Sequence, residues 1–361
     1  MPASLSALPS RGSMPPAIER LGKTYFGSPP RAFLTLGFCV LAVLIGPSVV
    51  RWLLLDATFQ GDADLCRARG GACWAFIGNK FDLIFFGAYP HDLLWRPVLF
   101  LAAVAAIAAY GLLTRRSYAI VIILWIAAAI IGFLLMDGSL LGLEYVDRAR
   151  WGGLPITVII SIIGLATAFP IGVLLALGAS SKNHMVFAAS RFYVDVVRGI
   201  PAITVVFMTF AVIPLILPKD IVFDKLFRAG AGLTFFTAAY FAEALRGALQ
   251  ALPLGQREAA ASLGIGYWKA NALVILPQVI SASLQPIANI SIAFVKNSSL
   301  LIIIGLFDFL GSARSSLYDG DWQGFYRELY LFVGAVYLVV CLFIQFYIAS
   351  IERERSSRVS H

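Results

Sequence analysis

The chain has 361 residues, of which 60% are hydrophobic and only 13% charged, with a formal net charge of +8. A soluble domain is about 45–50% apolar and about 25% charged, so this composition excludes an ordinary soluble fold and indicates an all-α, polytopic membrane protein. The positive balance does not point to nucleic acid, because no basic block and no aromatic-interleaved basic helix occurs.

In chain order, residues 1–30 are rich in Pro, Ser and Arg and contain no apolar core, so they read as a disordered cytoplasmic tail rather than a signal peptide. Gly22, Lys23 and Thr24 do not make a phosphate loop, since Ala17 stands five residues earlier where that loop needs glycine and no strand precedes it. No nucleotide site, and no catalytic residue of any kind, is expected in this chain. A membrane span needs roughly 20 apolar residues, and by that rule about eight spans are read. They are 33–55, 97–113, 118–136, 154–178, 192–217, 232–249, 279–295 and 329–351. The fifth holds Pro201 and Pro214 and is expected to be broken.

Arg115 and Arg116 stand in a very short loop, which places that loop and both termini in the cytoplasm. The loop 56–96 then faces the periplasm, and Cys66 and Cys73 in it form either a disulfide or two separate thiols. Their spacing fits no zinc set and no metal is expected. Residues 31–150 form a three-span extension almost free of intramembrane polar groups. Residues 151–351 hold five spans interrupted by Pro, Gly, Asn, Ser, Lys and Glu, where function is expected. Residues 352–361 form a second cytoplasmic tail.

The stretch 258–278, inside the cytoplasmic loop 252–278, is the least membrane-like part of the core. Glu258 opens a helical run whose Ala259, Ala260 and Ala261 allow close approach of another surface. A carboxylate suits a helix N-terminus. Gly264 and Gly266 allow a reversal, and Pro277 suits the first turn of the following span. Helix physics alone leaves an ordinary loop equally open.

Glu258, Ala259, Ala260, Gly264 and Leu276-Pro277 resemble the coupling loop of ABC importer permeases, with Val274 where isoleucine is usual. Residues 196–201 (VVRGIP), 242–260 and 294–300 (FVKNSSL) are similar to the polar amino acid uptake branch, the histidine/glutamate/arginine type, over about 152–350. The three extra spans and outer loop resemble the M-type permease of the bacterial general L-amino acid uptake system. The resemblance implies a five-span type I permease core in the bacterial inner membrane. It implies a hetero-dimer with a homologous permease, a cytoplasmic ATPase dimer using ATP and Mg, a periplasmic binding protein, and L-amino acid substrates of broad range. The spans themselves face lipid.

Other polar residues carry two readings each. Glu243 lies three residues before Arg246 on one helical face, as an ion pair or as a pathway carboxylate. Lys296, Asn297 and Ser298 end the seventh span, where Lys296 snorkels or the three bind a substrate carboxylate. Arg198 sits at the Gly199–Pro201 break, as an interfacial charge or part of an inner gate. Asp308 is expected in a short outer helix. A secondary amino acid transporter needs several ion-coupling acids and usually inverted repeats; Glu243 is the single candidate acid and no repeat is seen.

Overall fold

Backbone N–H and C=O groups have no water to bond inside a bilayer, so an apolar chain satisfies them internally as helix. The computed structural model describes residues 24–113, 118–218, 223–253 and 255–359, mostly helical. Residues 1–23, with most of the N-terminal tail, and Arg115 and Arg116, which carry the expected orientation, lie outside these. The chain divides into units 1–78 and 79–361.

In the first unit, α1 (Pro29–Val50) starts with proline in its first turn and runs into a π-turn, Arg51–Leu55. Its surface is Phe33, Leu34, Phe38, Val43 and Leu44, all exposed, as suits a lipid-facing helix. Asp62 caps α2 (Ala63–Arg69) by accepting from the Leu65 amide at 2.9 Å. Cys66 and Cys73 are buried and joined as a disulfide, Cα to Cα 5.5 Å. The helix α3 (Trp74–Asn79) follows, and the Trp74 indole donates to Leu53 O at 2.9 Å.

The second unit begins with α4 (Phe81–Phe86), α5 (Trp95–Leu113) and α6 (Tyr118–Asp137). The core follows as α7 (Gly153–Gly178), α8 (His184–Gly199), α9 (Ala202–Ala211), α10 (Ile213–Ile216) and α11 (Lys225–Ala251). Next come α12 (Gly255–Ser262), α13 (Tyr267–Ala270), α14 (Leu276–Ala282), α15 (Leu284–Asn297), α16 (Phe309–Ser315) and α17 (Tyr326–Val359). Among the described residues six helices are long and apolar enough to cross a membrane, or seven if the bent pair His184–Gly199 and Ala202–Ile216 is one span. The pair turns by 106° at Ile200-Pro201, which is the expected break. The 27-residue α11 is also long enough, at about 40 Å, but carries Lys225, Arg228, Glu243 and Arg246. It is not apolar enough to join the others, so six or seven spans stand where about eight are expected.

The seventh segment lies further along than expected. It spans Leu284–Ile304, because the chain breaks at Ser283, Pro286 occupies the first turn of α15, and a 3-10 stretch (Ser298–Ile304) continues past Asn297.

Helix α11 is the axis against which α7, α8, α9 and α15 pack. Small residues permit this, as is usual between membrane helices. A Cβ on Gly172 of α7 would sit 2.6 Å from Phe241 Cβ. Along α7 lie three apolar clusters in turn. The first holds Ile156, Ile159 and Ile160 with Trp151 and Phe294, the second Ala168 with Ala238 and Phe241. The third holds Ala176 and Leu177 with Leu245, Leu249, Ile275 and Val279.

Candidate functional site

The stretch 255–278 folds as two short helices and a π-turn (Asn271–Ile275) outside the spanning helices. Glu258 lies exposed in the first turn of α12, where a carboxylate complements the helix dipole. Of the alanines, Ala259 and Ala261 face outward and Ala260 is buried. The helix stops at Gly264, whose φ of +69° is left-handed. Gly264 N–H donates to Ala261 O at 2.9 Å and Ile265 N–H to Ala260 O at 3.0 Å, the Schellman arrangement that satisfies the last carbonyls. Gly266 is extended, with φ −60° and ψ 154°, so the reversal belongs to Gly264 alone. Pro277 sits in the first turn of α14. The two ends of the stretch meet where Gln278 Nε2 donates to Gln256 Oε1 at 3.3 Å.

The outward face of this stretch carries Leu263 (78% exposed), Tyr267, Trp268 (68%) and Leu273. Exposed large apolar residues grouped on a non-spanning segment mark a contact surface. On its inner side Ile275 and Val279 are buried with Leu245 and Leu249 of α11 and Ala176 and Leu177 of α7. The stretch is thus packed directly against both helices through a close-packed cluster.

One helical level above that cluster, Glu243 gathers three guanidinium groups. Arg246 donates to both its oxygens, at 2.9 and 2.5 Å, Arg191 Nη1 lies 3.2 Å away and Arg198 Nη1 3.5 Å away. Arg191 also pairs with Asp195 at 3.0 Å, and Arg198 lies over the Tyr240 ring. The expected Glu243–Arg246 pair is thus present inside a wider network joining α8 to α11, and Arg198 belongs to the same network. Sequence reasoning missed Arg191, Asp195 and Tyr240. The spacing of 191, 195 and 198, one helical face, was the available signal.

Lys296, Asn297 and Ser298 stand in three different environments. Lys296 is exposed, Asn297 half-buried and Ser298 buried. Ser298 Oγ lies 2.9 Å from Val295 O and 3.1 Å from Asp308 Oδ2. Asp308 does precede a short helix, α16, but it is fully buried. It accepts from Gly311 N at 2.8 Å, capping α16, and from the Tyr337 hydroxyl at 3.1 Å. Burial pushes its carboxyl pKa up. Among the described residues no group of three or more His, Cys, Asp or Glu side chains is placed to hold a metal ion.

Apolar spans around a polar-faced central helix, with a bent-helix contact segment outside them, are the architecture of a membrane permease. Residues 168–357 match the family described as the binding-protein-dependent transport system inner membrane component, and the chain belongs to that family. It is 38% identical over 344 residues to the inner membrane amino-acid ABC transporter permease protein YhdY of Escherichia coli K12, covering 94% of this chain and 93% of that protein. To the glutamate/glutamine/aspartate/asparagine transport system permease protein BztC of Rhodobacter capsulatus it is 29% identical, covering 97% and 96%. A solved structure of an amino acid ABC transporter with histidines covers 56% of this chain and 92% of its own, at 26% identity and TM-score 0.49.

Proposed function

We propose that this chain is one permease half of an ATP-driven importer for L-amino acids, with the stretch 255–278 as its contact to a separate ATPase. The observation that carries the reading is this segment. It is a non-spanning pair of helices with Leu263, Tyr267, Trp268 and Leu273 outward and Ile275 and Val279 packed into the spans. ATP and Mg are used on the ATPase dimer, and this chain contributes only the lever. A coupled transporter requires its two states to contact the ATPase differently, and a segment rigidly joined to α7 and α11 meets that need. The remaining partners are a homologous permease forming a hetero-dimer and a periplasmic binding protein that delivers substrate.

Both termini and 255–278 lie in the cytoplasm of this bacterial inner membrane protein, and the disulfide-bearing loop lies in the oxidising periplasm. Substrate passes between the two permeases. Glu243 with Arg198 forms an inner gate, and Lys296 and Asn297 meet the shared α-carboxylate and α-amino groups at the outer end, with Ser298 holding them in place. The test is affinity isolation of the intact membrane complex and identification of its subunits. An ATPase should co-purify with the wild-type chain and be lost with Glu258→Lys while the chain stays in the membrane. Amino acid uptake that proceeds without any ATPase would establish a secondary transporter instead.

A further inference from the structure

Residues 80–87 belong to the extension, yet they meet the core at three places. A Cβ on Gly87 would lie 2.5 Å from Gly152 Cα, and one on Gly152 would lie 2.8 Å from Gly87 Cα, so the two backbones touch. The Phe85 ring stands edge-on to Phe309 of α16 at 5.5 Å and to Phe332 of α17 at 5.9 Å. Lys80 Nζ lies 2.6 Å from Asp319 Oδ2, between α16 and α17. Contact of backbone on backbone has no rotamer through which to yield, and so it passes on displacement that a side chain would absorb.

Directly behind this contact the core is tied together by hydrogen bonds. Gly153 N–H donates to Ser312 Oγ at 2.9 Å, and Phe309 N–H to Thr157 Oγ1 at 3.0 Å, joining α7 to α16. Asp308 then joins α16 to Ser298 and to Tyr337 of α17. Ser298 immediately follows Asn297.

We propose that α4 is a positioning element for the outer end of the translocation path: by bracing α16 it holds Asp308 and Ser298, and with them the Lys296–Asn297 end of α15. The extension is then part of the transport machinery as well as an anchor. The inference rests on the importer reading above and adds to it a role for residues the five-span core does not contain.

The test uses the intact permease–ATPase complex in liposomes with amino-acid-loaded binding protein, comparing wild type, Phe85→Ala, Phe85→Leu and Gly87→Val at equal membrane abundance. Phe85→Ala should raise the KM for loaded binding protein about fivefold or more with Vmax within about twofold, and Phe85→Leu should restore most of it. Gly87→Val, which separates the two backbones, should do at least as much. A Phe85→Ala complex whose KM stays within about twofold, or whose only change is less chain in the membrane, overturns the positioning role. Absence of ATP-dependent uptake by the wild-type complex would overturn the importer reading, which separates the two failures.

Discussion

The amide of Ile265 donates to the carbonyl of Ala260 across 3.0 Å, closing α12 around Gly264. That closure requires a left-handed residue, and the space around Gly264 is open. The cost of substitution is therefore conformational, about 1–2 kcal/mol for an L-residue with a Cβ. ATPase retained on the purified chain should fall in the order Gly264, Gly264→Asn, Gly264→Ala, Gly264→Val. Equal retention by Gly264→Val would show that the reversal is not needed for docking.

Glu243 is the carboxylate shared by Arg191, Arg198 and Arg246. Removing it leaves three like charges facing one another. Glu243→Gln should lower stability by on the order of 1–3 kcal/mol and reduce uptake more than Arg191→Gln does. A double-mutant cycle between 243 and 191 should give a non-zero coupling. Strict additivity would mean that α8 and α11 are not joined through these groups.

The Asp308 carboxyl is pushed above its ordinary value of 3.8, with burial the largest cause. A raised folded pKa means that the native state binds more protons than the unfolded state between the two values. Stability then falls as pH rises from about 4 through the folded pKa. Asp308→Asn, which keeps the cap acceptor, should remove that slope and unfold at neutral pH no lower than wild type. Asp308→Leu, which loses the cap, should unfold lower. Thermal unfolding from about pH 4 to 8 checks both.

Cys66 and Cys73 are bonded over a sequence separation of 7, while Cys39 and Cys341 are free. Denatured, unreduced protein should take up maleimide at two cysteines and reduced protein at four. Cys66→Ser should cost the loop about 2–3 kcal/mol from chain entropy. Four reactive thiols without reduction would remove the periplasmic assignment of this loop.

Much of the architecture was legible because a span writes itself as roughly 20 apolar residues and a break as Pro201 beside Gly199. The misplaced start of α15 was legible in part. Pro277 and Pro286 both occupy first turns, and reading both that way gives two helices where one was expected. The bend in 255–278 was legible in Gly264, although only backbone geometry distinguishes its conformation from that of Gly266. The company of Glu243 was not legible. Arg191, Asp195 and Arg198 share a helical face, but which face of α11 they meet depends on the 106° turn after Gly199. The burial of Asp308 was invisible because Ser298 and Tyr337 reach it only through tertiary packing.

The clasp between Gln256 and Gln278 makes the contact segment a closed ring with two feet, one at the end of α11 and one at the start of α14. A push on Trp268 would therefore load both feet together. In the coupling role proposed above, such a segment would tilt α7 and α11 as a pair, about the close packing of Ala238 and Phe241 against Gly172.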